Sequence, residues 1–89
     1  MNSQTTSKFW KAFNQLPESI QETAKEIYQL WQKDPYNSSL QFKKIHPIKP
    51  IYSVRIGLNW RAVGIKDSNT IIWFWIGSHS DYNQLISQL

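Results

Sequence analysis

IYSVRIGLNWRAVGIKDSNTIIWFWIGSHSDY, residues 51–82, reads as both the sheet of this chain and the seat of its function. Ile51 to Ile56 and Trp60 to Ile65 are rich in β-branched and aromatic residues and flank Gly57-Leu58-Asn59. Glycine and asparagine are what a tight hairpin loop wants where positive φ is needed. If those three residues form the loop, Ile56 faces Trp60 and Arg55 faces Arg61. Two like charges directly opposite on one sheet face are unfavourable by themselves. A structural role accounts for one such arginine better than for two. An anion shared between them would offset the repulsion, and the planar fork of arginine suits a phosphate. The inference depends on the register, because a slip of one residue sends the two side chains to different faces.

Past the turn Lys66-Asp67-Ser68-Asn69, the stretch Thr70 to Ile76 is predicted to be the central strand. Its unbroken apolar run, Ile71 to Ile76, implies burial on both faces. Gly77-Ser78-His79 leaves the strand end, which places His79 on the sheet rim. Tyr82 follows three residues later, on the same side if Ser80 caps a short last helix whose apolar side is Leu85, Ile86 and Leu89. Arg55, Arg61, His79 and Tyr82 could then form one phosphate site with a group that titrates near neutrality. Whether the last helix covers the second sheet face, or a partner protein covers part of it, stays open.

Working outward, Phe9, Trp10, Phe13 and Leu16 recur at helical spacing behind Ser7, a suitable cap. Pro17 starts a second helix with Glu18 at its positive end and Ile20, Ala24, Ile27 and Trp31 on one stripe. Lys33-Asp34-Pro35 ends it. The two helices are expected to form an antiparallel pair whose aromatics are core rather than binding site, because they follow the apolar face. Met1 to Thr6 is polar and expected to fray. Leu40 to Ile45 alternates as a strand would, with Leu40, Phe42 and Lys44 on one side. His46-Pro-Ile-Lys-Pro50 holds two prolines and reads as a loop with His46 facing solvent.

The 89 residues make one small domain, residues 1–89, near the lower limit for a self-sufficient core. Thirteen Trp, Tyr and Phe residues (5, 4 and 4) partly compensate. There is no cysteine, and His46 and His79 are the only imidazoles, so no metal and no cofactor is expected. The N-terminus lacks the apolar core of a signal peptide and no run reaches membrane-spanning length, so a cytoplasmic protein is expected, with no membrane partner. The net charge is +4. Between Pro35 and Lys66 there is no acidic residue, while Lys43, Lys44, Lys49, Arg55, Arg61 and Lys66 are all basic. That excess is either a solvated basic face or a polyanion-binding surface, nucleic acid being the first candidate.

Tyr52-Ser-Val-Arg-Ile, then Asn59-Trp-Arg-Ala-Val, then a strand ending Trp-Ile-Gly-Ser-His-Ser-Asp-Tyr82 resembles the RelE/ParE superfamily of type II toxins. The helix start at Leu16-Pro17 and the segment from Ser39 to Ile45 are similar as well, so the resemblance covers the chain from Phe9 to Leu85. It implies an α+β fold: an N-terminal helix hairpin packed on a three- to four-stranded antiparallel sheet, with a short C-terminal helix. Many members open with a strand, and Phe9 to Leu16 reads as helix, so that strand is expected to be missing. A cognate antitoxin, acidic or amphipathic, is the implied partner. RelE-type members cut mRNA on the ribosome without a metal, the ribose 2′-hydroxyl attacking the adjacent phosphate. By resemblance Arg61 stabilises that phosphate, Arg55 assists, His79 is a general acid or base, and Tyr82 orients it or stacks on a base. Lys43 and Lys44 would hold the RNA backbone. The superfamily also contains ParE-like toxins that poison DNA gyrase and are not nucleases, and a non-toxic homologue acting only as a binding module is a third alternative.

Overall fold

In the computed structural model, which describes residues 1–89, the chain runs β1 (Asn2–Thr5), α1 (Ser7–Asn14), α2 (Glu18–Lys33), a 3₁₀ turn (Ser38–Leu40), β2 (Lys43–Lys44), β3 (Ile51–Ile56), β4 (Trp60–Asp67), β5 (Thr70–Ser78) and α3 (His79–Ser87). The architecture is α+β, with one sheet in the order β1-β5-β4-β3-β2. Gly57 sits at φ +61°, as the loop requires. The hairpin closes in the anticipated register, Ile56 against Trp60 and Arg55 against Arg61.

How β5 buries both its faces is decided by a bulge. The register between β4 and β5 shifts at Val63/Gly64, so that Val63 faces Trp75 and Gly64 faces Trp73. Phe74 is the residue left over. Strict alternation would put Trp73 and Trp75 on one face; the bulge separates them. Ile71, Trp73 and Ile76 join the main core with Val54, Ile56 and Ala62, beneath α1 and α2. Phe74 and Trp75 instead pack beside a smaller cluster of Ile51, Val63 and Tyr82, with Leu85 and Leu89. A Cβ on Gly64, at the bulge, would lie 2.7 Å from Ile71 Cγ2 and 3.0 Å from the Ile72 carbonyl oxygen. Backbone cannot yield as a flexible side chain would, so Gly64→Ala is expected to cost about 1–3 kcal/mol. Urea denaturation checks this, and an unchanged midpoint would mean that the strands slide freely.

The helix layer follows the anticipated stripe. Phe9 and Phe13 of α1 and Ala24 and Trp31 of α2 are buried in the main core. Trp31 meets Trp73 edge-on at 5.4 Å and Phe42 at 5.7 Å between ring centroids. The joint between the helices is tied by Gln21, whose amide donates to the carbonyls of Phe13 (3.2 Å), in the last turn of α1, and Leu16 (3.1 Å), in the link before α2.

The N-terminus does not fray. Asn2 to Thr5 pairs in parallel with Thr70 to Trp73, making the sheet five-stranded and mixed, and the opening strand expected to be missing is present. Ser3 is hydrogen-bonded to the Tyr28 hydroxyl, and Trp10 Nε1 donates to Thr5 Oγ1 at 2.8 Å. An all-polar edge strand has no hydrophobic period to announce it; backbone pairing and side-chain ties hold it. Thr6, not Ser7, caps α1, accepting from the Phe9 N–H at 3.1 Å. The strand expected over Leu40 to Ile45 shrinks to Lys43–Lys44, because Leu40 belongs to the 3₁₀ turn and Gln41 adopts φ +46°. Leu40 and Phe42 are nevertheless core residues, as their alternation suggested. No helix is long and apolar enough to cross a membrane.

Candidate functional site

Directly opposed residues of an antiparallel pair project to the same face. Arg55 and Arg61 therefore share a face, and it is the α3 side, since Ile51 and Val63 alternate with them and pack there. Arg61 lies opposite Gly77 in β5. A Cβ on Gly77 would lie 2.7 Å from the Trp75 ring, so the glycine leaves room for that indole beside the arginine. The chain's one ion pair is Lys25–Glu22, and neither arginine has a carboxylate partner. Their hydrogen bonds go to local carbonyls: Arg55 Nε donates to Gly57 (3.0 Å) and Arg61 Nη1 to Trp60 (2.8 Å). Partial burial, then the neighbouring Arg55 charge, holds the Arg61 guanidinium below the usual arginine value, with Tyr82 acting the other way. An arginine stays protonated throughout the physiological range. The hairpin therefore concentrates two uncompensated positive charges.

The end of β5 brings His79 to the same rim. Its backbone N–H donates to the Asn59 carbonyl at 2.6 Å, fastening the start of α3 to the hairpin loop. Ser78, not Ser80, is the cap, accepting from the Asp81 N–H at 3.1 Å. The His79 side chain is exposed. The Asn83 amide, one helical turn on, donates to Nδ1 at 3.4 Å, which leaves Nε2 for solvent or a ligand.

Tyr82 is placed differently from one of its anticipated roles. It is 8% exposed and its hydroxyl donates to Ser53 Oγ at 3.3 Å. Its ring lies 6.4 Å from Trp75 and 6.0 Å from His79. Stacking on an RNA base would need an open ring face, and this ring is enclosed; orienting the His79 rim remains within its reach. The lysine pair is divided. Lys43 pairs with Ser53 and so shares the arginine face, whereas Lys44 pairs with Tyr52 on the helix side. Lys66, over the Tyr52 ring at 5.7 Å, is on that side too. The basic excess thus serves both faces.

His46 is not a free loop histidine. The backbone N–H groups of Ile48 (3.1 Å) and Lys49 (2.8 Å) both donate to Nδ1, so the hydrogen is on Nε2, which donates to the Leu89 carbonyl at 3.0 Å. Two prolines mark the loop in the sequence but not this clasp onto residue 89. His46→Ala removes three hydrogen bonds, but water serves the exposed Ile48 and Lys49 N–H groups in their place, so the expected cost is about 0.5–1.5 kcal/mol. Faster amide exchange at Ile48 and Lys49 would accompany the loss, and unaltered exchange would show that the clasp carries nothing.

Four residues that shape the rim escaped the sequence reading: Ser53, Asn59, Trp75 and Asn83. Asn59 was legible only as a loop residue, and its part is played by a carbonyl, which every residue has. Ser53 is the one buried polar residue of the core, a signal that burial alone makes visible. No group of three or more His, Cys, Asp or Glu converges as metal ligands would.

A family model described as the ParE-like toxin domain matches residues 18–84. No curated protein matches by sequence. Among solved structures, a chain of the RelB–RelE antitoxin–toxin complex from Methanococcus jannaschii is similar at TM-score 0.74 and 23% identity, over 92% of this chain and 96% of that one. YafQ from E. coli is similar at TM-score 0.72 and 9% identity, over 91% and 96%. Isolated E. coli RelE is similar at 0.67 and 12%, over 98% and 96%. At such identities these likenesses speak for the fold, and the family model speaks for the sequence. The chain belongs to the ParE-like toxin domain family.

Proposed function

We propose that this chain is the toxin of a type II toxin–antitoxin pair and a metal-independent, ribosome-dependent mRNA endoribonuclease. The observation that carries the reading is the cross-strand pair Arg55/Arg61, without a carboxylate partner, beside the exposed imidazole of His79. The ribose 2′-hydroxyl attacks the adjacent phosphate; a P–O bond forms to O2′ and the bond to O5′ breaks, leaving a 2′,3′-cyclic phosphate and a 5′-hydroxyl. Negative charge builds on the phosphate oxygens on the way, and two guanidinium groups already in place stabilise it. His79 moves a proton, taking it from the 2′-hydroxyl as base or giving it to the departing O5′ as acid. Tyr82, anchored on Ser53, is a positioning residue for this rim. Lys43 holds RNA backbone on the arginine face, and Lys44 reaches phosphate only from the helix side. The basic stretch from Pro35 to Lys66 suits an acidic or amphipathic antitoxin.

A second reading, a gyrase poison without nuclease activity, is favoured by the ParE-like description of the matching family. Expression of the chain without its partner separates the two. New mRNA 5′ ends together with arrested translation support the nuclease. A DNA-damage response with unchanged mRNA ends supports the gyrase reading. Normal growth with intact folding points to a homologue that only binds.

A further inference from the structure

The two edges of the sheet are unlike. An open edge strand invites pairing with another chain, and short length, lysine, proline and bulges guard against it. β2 has such guards: it is two residues long, both are lysines, and Pro47 and Pro50 follow it. β1 has none, for Asn2–Thr5 carries no charge, no proline and no irregular pairing. The Asn2 N–H donates to the Asn69 carbonyl (2.9 Å) and the Thr6 N–H to the Trp73 carbonyl (3.1 Å), so the even-numbered residues bond inward to β5. Alternation then turns the backbone N–H and C=O groups of Ser3 and Thr5 outward. On the helix side, Tyr28 is hydrogen-bonded to Ser3 and Trp10 to Thr5. Both are exposed aromatics beside an edge that is otherwise polar.

We propose that β1 is a self-association edge, to which a second copy of this chain adds its own β1, antiparallel, about a two-fold axis at Gln4. Outward groups two residues apart are what such an axis needs. Ser3 of each copy lies opposite Thr5 of the other, and a pair of that kind exchanges two hydrogen bonds. Gln4 meets Gln4 at the axis, on the face away from α1 and α2. Directly opposed residues share a face, so the same rotation sets Tyr28 of each copy beside Trp10 of the other. A foreign segment would find neither charge nor apolar period on β1 to select it, whereas a second copy supplies a matching group at every position. A four-residue strand and two rings a side bury less than the roughly 1,000 Å² of a stable complex, so the dimer forms only in concentrated solution. β5 separates β1 from the arginine hairpin, so both rims stay open and the proposal stands apart from the nuclease reading.

Sedimentation equilibrium of the purified chain from about 10 µM to about 1 mM is expected to show the average mass climbing from one chain toward two, with a midpoint on the order of 100 µM. Gln4→Lys sets two like charges against each other at the axis and should weaken association at least about tenfold. Gln4 is exposed, so the melting temperature of the variant should stay within about four degrees of the parent. Gln4→Glu should behave alike, and an equimolar mixture of the two variants should associate at least as tightly as the parent. Only an interface in which position 4 meets itself restores binding in that way. Amide exchange on the unaltered chain gives a reading that needs no variant. Ser3 and Thr5 should slow as concentration rises, while Gln4, already bonded to β5, stays the same. A mass of one chain up to about 1 mM overturns the proposal. So do association unchanged by Gln4→Lys, a mixture that stays monomeric, and exchange at Ser3 and Thr5 that does not slow.

Discussion

Replacing Arg61 by alanine is expected to lower mRNA cleavage by about 10²–10³-fold, the loss typical of one preorganised group facing developing negative charge. Arg61 is the better placed of the two arginines, held against the Trp60 carbonyl, opposite Gly77 and partly desolvated. Desolvation strengthens its attraction for an anion. Arg55→Ala should be milder, because its removal also relieves the repulsion on Arg61. The stability of Arg61→Ala should stay within about 0.5 kcal/mol of the parent or rise, since like charges directly opposite are destabilising. Lower activity at equal or greater stability separates a functional arginine from a structural one. The double variant His79→Ala, Arg61→Ala should be non-toxic when expressed alone. Toxicity at the parent level in that variant would remove the active site from this rim.

Trp31→Ala is the substitution expected to damage the fold most. The side chain is 1% exposed and bridges α2 to Trp73 of β5 and Phe42 beside β2. Truncating a buried tryptophan costs about 3–5 kcal/mol, against a total stability of about 5–15 kcal/mol for a domain. A large share of molecules should therefore be unfolded near 37 °C, with a melting temperature lowered by well over ten degrees. Trp10→Ala is the matched control, as that ring is 47% exposed. Circular dichroism melts of the two variants make the comparison. A Trp31→Ala melt within a few degrees of the parent would show that the helix layer is held by something other than this aromatic contact.

Much of the site was legible because short-range chemistry controls it. The loop Gly57-Leu58-Asn59 sets the register of β3 and β4, and the register sets Arg55 opposite Arg61. His79 falls on the rim because the apolar run ends just before it. Tyr82 was harder to read, since spacing three residues after His79 places it on that side but says nothing of what encloses it. Ser53, distant in sequence, and Trp75, on the preceding strand, decide that its ring is closed off. Lys43 and Lys44 show the same limit: adjacent strand residues point to opposite faces, so a basic pair cannot serve one surface.

By itself the sequence determined the α+β class, the helix stripe through Ala24 and Trp31, and the arginine-bearing hairpin. Each is a local pattern of period, cap or turn that needs no distant partner to be recognised. Only the tertiary structure decided that Asn2–Thr5 joins the sheet, that a bulge at Phe74 turns Trp73 and Trp75 to opposite faces, and that His46 clasps residue 89. Those features depend on hydrogen bonds and packing between segments far apart in the chain. A polar strand, an extra residue in a strand and a histidine lone pair leave no periodic trace in the sequence.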